Sequence, residues 1–171
     1  QVVTATVFSF LLNPSFGALN KLLAPLGLVG ASHQWLTADW AIVWVSVAFV
    51  WHIAPLGTFF FLASLQTIPD DLYNAARIDR AGPITRFRHV TLPYLRHTTL
   101  IVLVVMTVEA VRQFDLVFSL TRGGPGTASQ ILPMLVFRYN FEFSQYGFAA
   151  ATSFLLSLFS ILLAVAYFVV L

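Results

Sequence analysis

The sequence lacks residues and motifs on which several common protein chemistries depend. Cysteine is absent from all 171 residues, which excludes disulfide bonds, thiolate metal ligands and cysteine nucleophiles. There is also no Walker motif for ATP binding, no zinc-type histidine spacing and no nucleophile elbow. We therefore expect no catalytic residue, no metal site and no cofactor bound by this chain.

Charged residues are scarce as well. They make up 9% of the chain, whereas hydrophobic residues make up 58%; soluble domains carry roughly a quarter charged residues. The formal net charge of +2 is too small to form a nucleic-acid-binding surface. The composition therefore excludes an ordinary soluble domain and favours an integral membrane protein.

The apolar runs predict an all-α membrane protein with about three full spans and a partial one. Residues 2–12 are too short to cross a bilayer, whereas residues 41–65, 98–118 and 148–171 are long enough. The chain begins at Gln1 rather than Met, and both ends lie inside apolar runs. We therefore expect a fragment of a longer polypeptide whose N-terminal spans are absent.

Three polar segments connect the apolar runs, and for two of them the sequence predicts the local structure. Residues 13–39 predict a short amphipathic helix at the membrane interface. In residues 119–145, the sequence Gly123-Gly124-Pro125-Gly126 predicts a turn, because a phosphate-binding loop would end in Lys-Ser or Lys-Thr. A short helix is predicted at 131–139, followed by aromatic residues that pack at the interface.

Two of the predicted spans carry polar groups in their interiors. His52 and a proline kink at Pro55 interrupt the first of them, and a polar cluster lies in the second half of span 98–118. If that span is one helix, Arg112 can pair with a carboxylate on either side. Such groups either line a solute path or serve structure, through a bond from His52 to a neighbouring span and a salt-bridge cluster. The candidate solute path comprises His52, Pro55, Glu109, Arg112, Gln113 and Asp115.

The largest cluster of charge lies in residues 66–97, called here the polar segment. It holds five arginines and three aspartates, half of the charged residues in the chain, and must lie in water or against a partner. Asp70 is the predicted N-cap of a short helix, Gly82-Pro83 ends that helix, and a second helix is predicted at 84–90. Because the other two connections contain one lysine and two arginines, the positive-inside rule places the polar segment in the cytoplasm.

Part of the polar segment resembles the EAA loop of permease subunits in binding-protein-dependent ABC importers. The family pattern is Glu-Ala-Ala, three residues, Gly, nine residues, a β-branched residue, any residue and Leu-Pro. This chain has Asn74-Ala75-Ala76, then Arg80, then Val90-Thr91-Leu92-Pro93. Asn74 replaces the glutamate, and Arg80 replaces the glycine. We expect Arg80 to reshape the turn, with Gly82 supplying the flexibility instead.

Further similarity covers nearly the whole chain and points to the carbohydrate-uptake branch (maltose, glycerol-3-phosphate and trehalose-type permeases). It includes Leu12-Asn13-Pro14-Ser15-Phe16-Gly17, Phe114-Asp115 and Thr121-Arg122-Gly123-Gly124-Pro125-Gly126. The resemblance implies one transmembrane permease domain over residues 1–171, with the polar segment as its coupling loop, in a bacterial or archaeal cell membrane. It implies a transport subunit for a sugar or sugar derivative, not an enzyme.

The resemblance also implies partners. These are a second permease subunit, a cytoplasmic ABC ATPase dimer that binds ATP and magnesium, an extracytoplasmic solute-binding protein and membrane lipid, but no nucleic acid. The helix at 70–79 would dock on the ATPase. The candidate coupling residues are Asp71, Asn74, Ala75, Ala76, Asp79, Arg80, Gly82, Arg86 and Arg88.

Two other functions remain open at this point. A self-sufficient channel or secondary transporter would use Glu109, Arg112 and Asp115 as an ion or proton pathway, but would leave the polar segment unexplained. A membrane scaffold would use the polar segment only to recruit a partner.

Overall fold

The computed structural model describes residues 1–170, apart from the side chains of Phe168 and Val170, and every regular element in that range is helical. Leu171, the last residue of the predicted final span, lies outside the described residues. The helices are α1 (Val2–Leu11), α2 (Ala18–Leu23), α3 (Ala41–Gln66), α4 (Asp70–Ile78), α5 (Pro83–Arg86), α6 (Leu92–Tyr94), α7 (Arg96–Val111), α8 (Asp115–Leu120), α9 (Leu132–Phe137) and α10 (Tyr146–Val170). Two π-helical turns, Phe87–Thr91 and Arg138–Glu142, follow α5 and α9.

Within residues 1–170, two helices are long and apolar enough to cross a membrane: α3 and the Tyr146–Tyr167 portion of α10. A third candidate is a bent pair, in which the helical run Pro83–Tyr94 meets α7 at an angle of 61°. The predicted span at 41–65 is confirmed by α3, and α10 confirms the final span within the described residues. Helix α1 has 10 residues, so it is too short to cross a bilayer, as predicted.

The prediction of one continuous helix over 98–118 is wrong. Helix α7 begins earlier, at Arg96, and ends at Val111; α8 begins at Asp115. Between them the Phe114 ring stacks on Phe118 at a centroid distance of 5.2 Å, while Leu116 and Val117 are buried. The hydrophobic periodicity of the sequence could not reveal this break. Tertiary contacts of the short helix α8 stabilise the break, and no local helix-ending residue marks it.

Pro55 does not interrupt α3, which is continuous from Ala41 to Gln66. The interpretation of a broken helix at this proline is therefore wrong. Gly57 in the same helix lies at a close contact, because an added Cβ would meet the end of the Met106 side chain and approach that of Val102. This glycine allows α3 and α7 to pack closely.

The described chain forms two compact units. The first comprises Gln1–His52 and Ala110–Ile161, and its core joins α1, the first half of α3, and α8. This core consists of Ala5, Phe8, Leu12, Val45, Ala48, Leu116 and Val117. Within the described residues, the second unit comprises Ile53–Glu109 and residues 162–170, and it contains the whole polar segment.

The connection between α1 and α3 is built on polar contacts. Asn20 is buried; its amide donates to the carbonyl oxygens of Pro14 and His33, both at 3.0 Å, and its Oδ1 accepts from Trp35 Nε1 at 2.8 Å. At Gly17 an added Cβ would clash with backbone oxygens of the preceding turn. The short helix predicted within residues 13–39 is confirmed in part, because α2 forms there over Ala18–Leu23.

The connection between α8 and α10 also follows its local prediction. The turn at 123–126 contains two glycines with positive φ, Gly123 at 80° and Gly126 at 61°. Ser129 is fully buried and closes the turn by donating to the Gly124 carbonyl oxygen at 2.7 Å. Helix α9 confirms the short helix, and the aromatic residues after it pack against one another: Phe137 with Phe141, and Tyr139 with Phe143.

Candidate functional site

The polar segment folds as a helix, a turn and a second helical run. Helix α4 begins at Asp70, with Pro69 at the N-cap position in an extended conformation. The prediction of Asp70 as the N-cap is therefore wrong by one residue. Asp70 and Asp71 instead lie in the first turn of α4, where their negative charge is favourable beside the positive end of the helix dipole.

Arg80 ends α4 in a left-handed conformation. Its φ is 54°, and two hydrogen bonds surround it: the Arg80 N–H donates to the Arg77 carbonyl at 3.0 Å, and the Ala81 N–H donates to the Ala76 carbonyl at 2.9 Å. This pattern is a Schellman motif, whose left-handed position is usually glycine. The family glycine is therefore replaced by an arginine that keeps the glycine-like conformation.

Gly82 does not take over that role. Its φ of −67° and ψ of 169° are extended values, so the expectation that Gly82 supplies the flexibility is wrong. It is the N-cap of α5, whose first residue is Pro83, a position that proline favours. The second helical run continues to Tyr94, beyond the predicted end at 90.

Three side-chain hydrogen bonds tie the polar segment together. Tyr73 on α4 bonds through its hydroxyl to Thr91 Oγ1 at 2.9 Å. The Tyr94 hydroxyl donates to the Thr67 carbonyl oxygen at 3.3 Å. Thr91 is only 8% exposed, so its hydroxyl depends on Tyr73 for a partner across the turn.

The third bond joins the two helices that lead into the membrane. Thr98 Oγ1 on α7 donates to Ser64 Oγ on α3 at 2.8 Å. Ile68 and Leu95 are buried close to these ties. Hydrogen bonds therefore brace the polar segment in two places. One links α4 to the second helical run, and another links α3 to α7 where these helices flank the segment.

Most of the predicted coupling residues are accessible. Ala76 and Arg86 are half-buried. The exposed members of the predicted set are Asp71, Asn74, Ala75, Asp79, Arg80, Gly82 and Arg88. Sequence reasoning missed the bracing residues, because a tyrosine or threonine that bonds across a turn carries no periodic signal.

The contacts of the predicted solute-path residues can be described one by one. His52 Nδ1 lies 3.0 Å from Thr4 Oγ1 on α1, which agrees with the structural interpretation of a bond to a neighbouring helix. Among residues 1–170 one ion pair is present, between Arg138 and Glu142 at 2.9 Å. The predicted pairing of Arg112 is therefore wrong, because the break after α7 removes the helical spacing on which it depended. Pro55, Glu109, Arg112 and Asp115 are exposed.

Gln113 stands apart from the other predicted solute-path residues. It lies in the break between α7 and α8 and is only 5% exposed. Neither its Oε1 nor its Nε2 has a hydrogen-bond partner in the described part of the chain. An unpartnered buried amide costs stability, so Gln113 is an unfavourable feature of the packing between α7 and α8.

The sequence of this chain matches those of known transport proteins. A family model described as "Binding-protein-dependent transport system inner membrane component" matches residues 2–170. The trehalose/maltose transport system permease protein MalF of Thermococcus litoralis is 38% identical over 158 residues, which cover 90% of this chain and 52% of that protein. The sn-glycerol-3-phosphate transport system permease protein UgpA of Yersinia enterocolitica is 36% identical over 170 residues, 97% of this chain and 56% of that protein.

Solved structures agree on the fold. A bacterial ABC transporter involved in the import of the acidic polysaccharide alginate superposes with a TM-score of 0.85 at 22% identity, covering 97% of this chain and 58% of that one. The chain spans about half the length of the curated relatives it matches. It belongs to the family of binding-protein-dependent transport system inner membrane components, which are permease subunits of ABC transporters.

Proposed function

We propose that this chain is the coupling part of a permease subunit in an ATP-driven importer of a sugar or sugar derivative. The observation that carries the proposal is the bracing of the polar segment, in which α4 is bonded to the helical run that leads into α7. A loop without such bonds would change shape when a partner displaces it. A loop held by these bonds would instead pass the displacement to the helices beside it. ATP and magnesium would be bound by the partner ATPase.

We infer from the hydrogen bonds the order in which a displacement of α4 would pass through the polar segment. An ATPase that docks on α4 and closes upon ATP binding would displace this helix. Because Tyr73 bonds to Thr91, the helical run 83–94 would move with α4. The bonds Tyr94–Thr67 and Thr98–Ser64 would then pass the displacement to the ends of α3 and α7, which would swing as rigid bodies.

The sugar class is supported by the relatives. The names of relatives mention trehalose, maltose and lactose.

The remaining partners and the orientation belong to the same proposal. The arginines of the polar segment favour a cytoplasmic location by the positive-inside rule. A solute-binding protein would deliver solute on the opposite side, and the related alginate importer was solved with an alginate-bound periplasmic protein. A second permease subunit would complete the translocation path within the lipid bilayer.

Reconstitution tests the proposal. The full-length permease, its partner permease, the ATPase and the binding protein are placed in proteoliposomes, and uptake of labelled trehalose, maltose, lactose and sn-glycerol-3-phosphate is measured with and without ATP. We expect uptake of at least one of the sugars, and only with ATP and all subunits. Uptake by the permease alone, driven by an ion gradient, would instead establish a self-sufficient transporter.

A further inference from the structure

A groove lies between α4 and the second helical run, with a volume of about 590 Å³. One wall is formed by Leu72, Ala76 and Asp79 of α4, which follow one another at helical spacing. The other includes Arg86 and the residues after it, and the turn from Arg80 to Gly82 closes one end. We call it the α4 groove; its remaining lining residues are Ala81, Thr85, His89 and Val90.

The α4 groove carries excess positive charge. Arg80 and Arg86 line it, opposed by Asp79 alone, and none of these three forms an ion pair in the described range. The Nε of Arg86 is buried without a hydrogen-bond acceptor there. His89 donates from Nδ1 to the Thr85 carbonyl oxygen at 3.0 Å, and its imidazole adds no negative charge to the groove.

Arg80 is held in the α4 groove at a conformational cost. A left-handed conformation is unfavourable for a residue with a Cβ, and glycine would adopt it freely. Arg122 and Ser144 also have positive φ, at 52° and 54°, so this conformation alone does not mark a functional residue. What distinguishes Arg80 from the glycine of the family pattern is the positive charge that it adds to the groove.

We propose that the α4 groove binds an acidic side chain, Asp or Glu, of the partner ATPase, and that Arg80 selects the cognate ATPase through this contact. The inference rests on the proposed function, because it requires an ATPase docked on α4. A single carboxylate would neutralise the excess charge of the two arginines over Asp79. It would also accept hydrogen bonds from the exposed Arg80 guanidinium, with the fork geometry that arginine and carboxylate share.

A carboxylate fits better than a lipid phosphate. The reason is the position of the groove and not its charge, because a lipid phosphodiester and a carboxylate each carry one negative charge. The groove is part of the exposed α4 surface, where Ala75 and Asn74 are accessible, so a partner that covers α4 reaches the groove as well.

The test measures affinity of the ATPase for the full-length permease complex in nanodiscs at several salt concentrations. We expect Arg80→Gly and Arg86→Gln each to raise the dissociation constant about tenfold at low salt and to flatten its salt dependence. Arg80→Lys, which keeps the charge, should stay within about threefold. Arg122→Gln, an exposed arginine of the connection after α8, is the matched control and should change nothing.

Arg80→Gly cannot fail by disrupting the turn, because glycine suits the left-handed conformation. Arg80→Glu should weaken binding further, and replacing one acidic residue on the docking face of the ATPase by arginine should restore it. If Arg80→Gly and Arg86→Gln stay within twofold of the wild type while Ala76→Asp prevents docking, the groove proposal is overturned and the docking proposal stands. Affinity that follows the anionic lipid fraction of the nanodisc, rather than the ATPase sequence, also overturns it in favour of a headgroup contact. If Ala76→Asp has no effect either, the proposed function itself fails.

Discussion

The bond between Tyr73 and Thr91 gives the sharpest prediction about coupling. Replacing Tyr73 by phenylalanine removes the hydroxyl but keeps the ring. The O···O distance is 2.9 Å and Thr91 is 8% exposed, so the variant loses one hydrogen bond and leaves a buried hydroxyl unpaired. The expected cost is about 1–2 kcal/mol of local stability, which corresponds to a roughly 5- to 30-fold larger open population.

Hydrogen exchange in the reconstituted full-length permease measures that population. We expect backbone amides of residues 74–78 and 87–91 to exchange roughly 5- to 30-fold faster in Tyr73→Phe. Thr91→Val should behave alike, and the double variant should be little worse than either single one, because the interaction is already gone. Sugar uptake per ATP hydrolysed should fall while ATPase affinity stays within about twofold.

Additive effects of the two substitutions would refute this reasoning, since they would show that the hydroxyls do not interact. Faster exchange with unchanged uptake per ATP would show that the bond stabilises the polar segment without transmitting motion. Ser46→Ala is a useful control, because Ser46 bonds only to the Ile42 carbonyl of its own helix and lies outside the polar segment.

Four further outcomes can be measured. Arg80→Gly should stabilise the end of α4 by about 0.5–1 kcal/mol, seen as roughly two- to fivefold slower exchange of the cap amides, whereas Arg80→Ala should bring no gain. Gly17→Ala should lower the free energy of unfolding by about 1–3 kcal/mol, because its Cβ would meet backbone oxygens. Gly30→Ala should leave the free energy of unfolding unchanged, because an added Cβ there has nothing within 4 Å. Gln113→Leu should raise the free energy of unfolding by about 1–3 kcal/mol, because it removes a buried amide that has no hydrogen-bond partner among the described residues; an unchanged or lower value in denaturant titration would contradict this. Ala76→Asp should leave the permease folded by size-exclusion analysis but weaken ATPase binding at least about tenfold, because it buries a carboxylate at a close contact and fills the α4 groove beside Arg80 and Arg86.

The sequence is most informative where local physics decides the structure. Long apolar runs predict α3 and α10, since backbone groups in lipid must be satisfied within a helix. The glycine-rich turn at 123–126 and the helix-turn-helix form of the polar segment are likewise local features. The class of candidate site, an exposed short helix between two membrane spans, could therefore be predicted.

What the sequence conceals depends on contacts between distant residues. The break after Val111 follows from the packing of Phe114 and the burial of Leu116, neither of which a hydropathy pattern records. The left-handed Arg80 could not be predicted from propensity, which favours glycine there. The bonds of Tyr73 and Tyr94 span 18 and 27 positions in the chain, so only the fold brings their partners together.

Docking of an ATPase on α4 is the central claim, and cysteine cross-linking tests it most directly. The 171 residues contain no cysteine, so a single cysteine at Ala75, which is exposed on α4, can be the reactive site once any others in the full-length permease are replaced. A cysteine at Thr127, exposed in the connection after α8, is the control. We predict an ATP-sensitive cross-link to the ATPase from residue 75 and none from residue 127. No cross-link from residue 75 in an assembled, transport-active complex would contradict the account.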